Sequence, residues 1–220
     1  MTSASTSNQK GRGTSRELII DVSRAIIEDE GLEHLTIRRI AETINRTQPA
    51  VYQHFAGKDE ILTAVVLEGF VALVERLKRA AKGEKPSLTA IASTYVRFGL
   101  ERPRLYEVMF VKPPVIAFAV ADTPMPAQAA FQIFATAVAE SGLQPTQVDT
   151  VTEVVWAALH GLVMLSITKR LRPGRALHRT RLEQLTAAIV AITEPPPRCT
   201  RRHHRPRSPL APRPAENPAC

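Results

Sequence analysis

The sequence predicts an all-α protein: an N-terminal three-helix unit containing a helix-turn-helix, followed by a larger helical body. Three observations predict it. Apolar residues recur at three- and four-residue intervals from Leu18 to Ile192, the period of helices with one buried face. No segment alternates as a strand does between hairpin turns, and the Val-rich piece 111–120 is interrupted by Pro113 and Pro114. Capping residues and glycines punctuate the chain at helical intervals.

Taken in order, residues 1–13 are rich in Ser, Thr and Gly, with Lys10 and Arg12, and predict a disordered arm. Thr14 and Glu17 have capping-box spacing, and Leu18, Val22, Ala25 and Ile26 follow on one face. Gly31 suits the C′ position that ends this helix. Thr36 caps a short second helix carrying Ile37, Ile40, Ala41 and Ile44, and a third short helix runs from about Thr47 to His54. Gly57 opens a longer one, with Asp59 and Glu60 in the first turn complementing the helix dipole. Its apolar face is Ile61, Leu62, Val65, Phe70, Leu73, Val74 and Leu77.

After a linker turn at 82–86, helices are expected near 87–101, 103–112, 124–141, 147–171 and 178–193. Their signals are Ser87 as a cap, Pro124 in a first turn, a capping box from Thr146 and Asp149, and a stop at Pro173-Gly174. From Pro195 onward Pro and Arg dominate and no periodic apolar face remains, which predicts a disordered tail. The expected organisation is therefore an arm at 1–13, a helix-turn-helix unit at 14–60, a body at 61–194 and a tail at 195–220.

Composition narrows the function classes. The chain of 220 residues carries a net charge of +8, but the tail holds six arginines against one acid, Glu216. That leaves only +3 for the rest, so net charge alone does not argue for nucleic acid. Both cysteines, Cys199 and Cys220, lie in the tail, so neither a disulfide framework nor a paired-cysteine metal site supports the body. Residues 1–13 lack the apolar run of a signal peptide, and charge breaks the apolar stretches short of a membrane span. The expectation is a soluble cytoplasmic protein with no membrane partner and no cofactor. No Gly-rich phosphate loop, nucleophile elbow, metal triad or suitably placed carboxylate pair points to an enzyme.

Function concentrates in Thr36–Leu62. The second helix of a DNA-reading pair needs small and hydrogen-bonding residues outside, an apolar inner face and a tight turn before it. Ile40, Ala41 and Ile44 line the inner face of the first helix, and Ala41 is small where the helices cross. Asn45 tolerates a left-handed turn conformation. Thr47 is placed to cap the next helix, and Pro49 is tolerated within its first turn. Val51 and Phe55 turn inward, leaving Gln48, Pro49, Ala50, Tyr52, Gln53 and His54 for the groove or its walls. Tyr52 alone reads equally well as a half-buried packing residue, and Arg38 and Arg39 as a solvated face.

This run resembles the helix-turn-helix of TetR-family regulators. The resembling residues are Ile40-Ala41, Asn45 in place of the usual turn glycine, Tyr52-Gln53-His54-Phe55, and Lys58-Asp59-Glu60-Ile61-Leu62, within residues 14–65. The resemblance implies that Thr36, Thr47, Tyr52, His54 and Lys58 hold phosphates and that Gln48, Pro49, Ala50 and Gln53 face bases. Arg46 departs from the pattern, standing where a small apolar residue usually packs; it either loosens the turn or reaches a phosphate. The N-terminal arm would add a further DNA contact.

In the body, Thr94–Phe98, Pro103–Tyr106 with Met109-Phe110, and Trp156–Gly161 resemble a TetR C-terminal subfamily with a Trp, His-Gly signature. Tyr95, Phe98, Tyr106, Met109, Phe110, Phe131, Phe134, Trp156, His160 and Met164 hold most of the large soft side chains there. They are candidates for an effector pocket, although any one of them is more simply core. Tyr106 and His160 would give an apolar effector its polar contacts, and Gly161 would allow close helix packing. A metal at His160 lacks partners at ligand spacing.

One recognition helix reads few base pairs, so specificity calls for a homodimer on a palindromic operator in double-stranded DNA. The resemblance places the dimer interface on helix 147–171 and on the last helix, with Leu182, Leu185, Ile189 and Ile192. A repressor released by a small-molecule effector is the reading the resemblance implies, with an activator left open. A non-specific architectural binder acting through the basic tail is the rival within DNA binding.

Overall fold

The computed structural model describes residues 15–83, 85–111 and 121–193. Within them every regular element is helical. The helices are α1 (Ser15–Asp29), α2 (Ile37–Thr43), α3 (Gln48–Tyr52), α4 (Lys58–Ala80), α5 (Leu88–Glu101), α6 (Pro103–Phe110), α7 (Met125–Ala139), α8 (Pro145–Ile167) and α9 (Arg175–Thr193), with a 3₁₀ turn at Leu32–His34. Thr14, the arm, the Val-rich piece 112–120 and the tail lie outside the described residues.

The N-terminal unit packs α1 against α2, α4 and α6, with α2 against α3. Ile19, Ile20, Ile26, Ile27, Leu35, Ile40, Val51 and Phe55 form its core. Gly31 ends α1 with φ 106°. Its amide donates to the carbonyls of Ile26 and Ile27 at 3.1 Å each, a conformation any Cβ would strain. The expected boundary between residues 60 and 61 falls inside the first turn of α4, so one continuous helix belongs to both parts. Beyond it, α4 packs on α5, α6 and α7, while α8 packs on α5, α7 and α9.

Several helix ends differ from expectation. The third helix stops at Tyr52, with Gln53 as its C-cap. Pro124 is the N-cap of α7, and Pro126 occupies the first turn instead. The Thr146–Asp149 capping box does not form: Pro145, with its fixed φ, is already the first helical residue after Gln144. That helix also ends before Pro173-Gly174, because Lys169 takes φ 57° and turns the chain just past Ile167. By length and composition α8 is apolar enough to cross a membrane, its two acids, Asp149 and Glu153, lying near its start.

Within the chain, Gly161 does not make the close approach expected of it. A Cβ there would meet nothing within 4 Å, whereas one on Gly99 would come within 2.5 Å of Val163 Cγ1. Gly99 is thus the position at which α5 and α8 approach closely. Of the apolar stripe expected to face a second copy, Ile189 is instead buried within the chain, where α9 packs on α5.

Candidate nucleic-acid interface and ligand cavity

The helix-turn-helix is assembled by local chemistry. Thr36 Oγ1 accepts the Arg39 amide at 3.0 Å and starts α2, satisfying one of the amides a helix leaves unpaired at its start. After α2 the chain reverses through Asn45 at φ 53°, and the Arg46 amide closes the turn on the Ala41 carbonyl at 2.9 Å. Asn45 therefore supplies the left-handed residue for which glycine is the usual choice. Thr47 takes the N-cap position of α3, but its side chain makes no capping bond, contrary to expectation. The hydroxyl is left exposed at the helix start.

Burial divides α3 and the turn that follows it sharply. Val51 and Phe55 are buried, with the Arg16 guanidinium 4.8 Å above the Phe55 ring. Gln48, Pro49, Tyr52, Gln53 and His54 are exposed, together with Arg46 and Thr47, and Ala50 is half-buried. Tyr52 is 53% exposed, so about half of its surface is open to a partner. Arg38 and Arg39 are paired with Glu42 and Glu30, each at 2.8 Å, as a solvated charged face would be. Lys58 Nζ donates to the Leu32 carbonyl at 3.5 Å from the first turn of α4. Glu60 reaches back to accept the Ala56 amide at 2.6 Å.

The body holds a cavity of about 520 Å³. Of the ten side chains singled out in the sequence, Tyr95, Phe110, Phe131, Phe134 and Trp156 line it. Phe98, Tyr106, Met109, His160 and Met164 are not in its wall. Phe98 is enclosed, with Arg76 and Arg102 over its ring, and Met109 packs where α6 meets Gly69 of α4. Sequence reasoning missed Phe70 and Leu73 of α4, Gln128 and Gln132 of α7, and Asp149 and Glu153 of α8. The four-residue spacing of each polar pair was the available signal.

Behind the wall runs a hydrogen-bond chain. Trp156 Nε1 donates to Tyr95 Oη at 2.9 Å. The hydroxyls of Tyr95 and Tyr106 are 2.7 Å apart, and Tyr106 Oη lies 2.7 Å from His160 Nδ1. An indole only donates, so Tyr95 Oη accepts from Trp156, and Tyr106 Oη links that hydroxyl to the His160 ring. Tyr106 and His160 thus hold Tyr95 and Trp156 in the wall from behind. Burial pushes both tyrosines up from their ordinary values and His160 down from its own.

The lowered His160 value has a consequence for stability. The unfolded chain takes up the histidine proton first as pH falls, so stability is full above about pH 6.5 and declines below it, towards the lowered folded value. Denaturant midpoints between pH 5 and 8 should therefore fall more steeply for the wild type than for His160→Gln. Parallel curves would show that this histidine does not control the decline.

The N-terminal unit is also hooked to the body. The Arg104 guanidinium donates to the carbonyls of Glu28, at 3.1 Å, and Asp29, capping the C-terminus of α1 from α6. Arg102 lies 3.8 Å from the Glu28 carboxylate. The same short α6 supplies Phe110 to the cavity wall, and α4 supplies Phe70 and Leu73 to it.

A helix-turn-helix with a polar outer face, built onto a helical body that holds a cavity, defines the class of helix-turn-helix regulators. Comparison with known proteins gives the family. Residues 19–65 match the model of bacterial regulatory proteins of the tetR family, and residues 88–189 match the tetracyclin repressor-like C-terminal domain. The chain belongs to the TetR family.

An HTH-type transcriptional regulator of Mycobacterium tuberculosis, Rv0681, is 25% identical over 157 residues, covering 70% of this chain and 71% of that protein. YobS of Bacillus subtilis, of the same description, is 24% identical over 102 residues, 46% of this chain and 53% of its own. The matched region thus spans about half the length of YobS. Among solved structures, a protein of unknown function from Rhodococcus sp. RHA1 superimposes with a TM-score of 0.67 at 20% identity, covering 85% of this chain and 97% of its own. BioQ with its double-stranded DNA operator gives a TM-score of 0.57 at 20% identity, covering 81% and 99%.

Proposed function

We propose that this chain is a sequence-specific DNA-binding transcriptional repressor, a cytoplasmic homodimer released from a palindromic operator by a small, largely apolar effector. The observation that carries the reading is the division of α3 and the turn after it: Val51 and Phe55 are buried, while Gln48, Tyr52, Gln53 and His54 stand exposed. Glutamines pair with adenine edges and Pro49 or Ala50 packs on thymine methyls. Thr36, Thr47, Tyr52, His54, Lys58 and Arg46 surround them as phosphate contacts, which fix register without reading sequence. The fold shared with BioQ, whose structure was solved on its operator, supports the same assignment.

A dimer is supported by the outer side of α8. Val154 and Leu165 are exposed large apolar residues there, and Gly161 between them is open. Leu177 is exposed on α9. Pairing of two copies removes this apolar stripe from water. Release is mechanical in this reading: a ligand against Phe70, Leu73 and Phe110 presses on α4 and α6, which carry and hook the DNA-reading unit. Couplings of this kind are typically about 1–3 kcal/mol.

The test is fluorescence anisotropy with DNA from upstream of the chain's own gene, at near-physiological salt with excess random competitor. Two protomers should bind a palindromic site selectively, and should still do so after residues 196–220 are deleted. Binding that random DNA competes away equally, and that disappears with the tail, would sink the specific repressor and favour a non-specific basic binder.

A further inference from the structure

We propose that the cavity takes an aromatic or lipophilic organic cation. The proposal names the ligand class of the cavity and rests on reading that cavity as the effector site. Its wall is aromatic on several sides, with Phe110, Phe134 and Trp156 among its rings. Asp149 and Glu153 enter the same wall from α8, one turn apart, and Trp156 follows three residues on. The three side chains therefore form one stripe on the helix, two carboxylates leading into an indole.

Neither carboxylate has a hydrogen bond or ion pair among the described residues. Among the described residues, no lysine or arginine lines the cavity. Two unbalanced negative charges beside a low-dielectric aromatic surface make a local negative field, on a chain whose net charge is +8. The selectivity is thus local and opposite in sign to that of the whole molecule.

A cation gains twice in such a place, from the carboxylates and from the negative faces of the rings. An anion meets repulsion, with no basic residue among the described lining to offset it, and a neutral ligand gains only burial. A metal ion is a poor fit, since no group of three or more His, Cys, Asp or Glu side chains gathers among the described residues. The charge must instead sit on a body large and apolar enough to use the aromatic wall.

Two ions of matched size and shape, tetraphenylphosphonium and tetraphenylborate, separate charge from burial. Trp156 is the sole tryptophan and lies in the wall, so its fluorescence reports occupancy directly. Saturable binding of tetraphenylphosphonium is expected, with a Kd at least about tenfold below that of tetraphenylborate. Asp149→Asn with Glu153→Gln should bring the two ions to within about threefold, and Glu153→Lys should reverse the preference. Both positions are exposed, and matched thermal melting checks that the variants fold.

Equal binding of the two ions, a preference that survives the double substitution, or no saturable tetraphenylphosphonium binding would overturn the proposal. Operator release is scored separately. A protein that shows the charge preference yet keeps its operator sinks the effector reading and leaves the ligand class standing. Release by neutral compounds alone does the reverse.

Discussion

Gly99→Val is expected to destabilise the folded chain by about 3 kcal/mol, seen as a lower urea midpoint at unchanged slope. The Cβ would approach Val163 Cγ1 to 2.5 Å and the Tyr106 ring to 3.0 Å, and both of those side chains are completely buried. A valine cannot rotate a clash away through distal torsions, and the Tyr106 ring is held by its hydroxyl bonds to Tyr95 and His160. The strain therefore spreads into the cavity wall. Gly99→Ala should be milder, since overpacking of about 1–3 kcal/mol is offset by about 1 kcal/mol of helix propensity.

The other helical glycines give the controls. At Gly69 the close atom is the Met109 sulfur, 2.7 Å from an added Cβ, and a flexible thioether can move aside. Gly69→Ala should cost less than Gly99→Ala. Gly161→Ala meets nothing within the protomer and should stabilise by roughly 0.5–1 kcal/mol wherever the partner copy leaves room for a methyl group. A loss at Gly161 would place a second copy of the chain against that side of α8. Equal effects at Gly99 and Gly161 would refute the close approach of α5 and α8.

Gln48→Ala combined with Gln53→Ala is expected to abolish selective operator binding. A good bidentate base contact is worth about 1–3 kcal/mol, and a dimer makes each contact twice. Each glutamine so used then accounts for about 2–6 kcal/mol, on the order of 30-fold to 10⁴-fold in Kd. Both side chains are exposed, so melting temperature should not move. Arg46→Ala should behave differently, weakening all sequences alike and lowering the salt slope by about 2, one phosphate per half-site. Selectivity retained by the double glutamine variant would mean that α3 is not the reading helix.

The DNA-facing half was largely legible in the sequence because its determinants are local. Thr36 caps the helix it begins, Asn45 takes the left-handed turn, and Val51 and Phe55 are paired by helical spacing alone. Even there a local rule misled at Thr47, which stands at the N-cap without forming the cap. Helix ends in the body drifted where two signals competed, as at Pro145 against Thr146 and at Lys169 against Pro173.

What the chain determined by itself was the order of helices, the αL turn and the division of α3 into inner and outer faces. Each follows from φ preference or from a 3.6-residue period within one segment. Tertiary structure alone decided which aromatic residues meet the cavity and which lie behind it, since Tyr95 and Tyr106 look alike in sequence yet only Tyr95 reaches the wall. It likewise chose Gly99 over Gly161 as the point of close approach. Those outcomes depend on the angles at which α4 to α8 pack, set by side chains far apart in sequence, and no local pattern carries them.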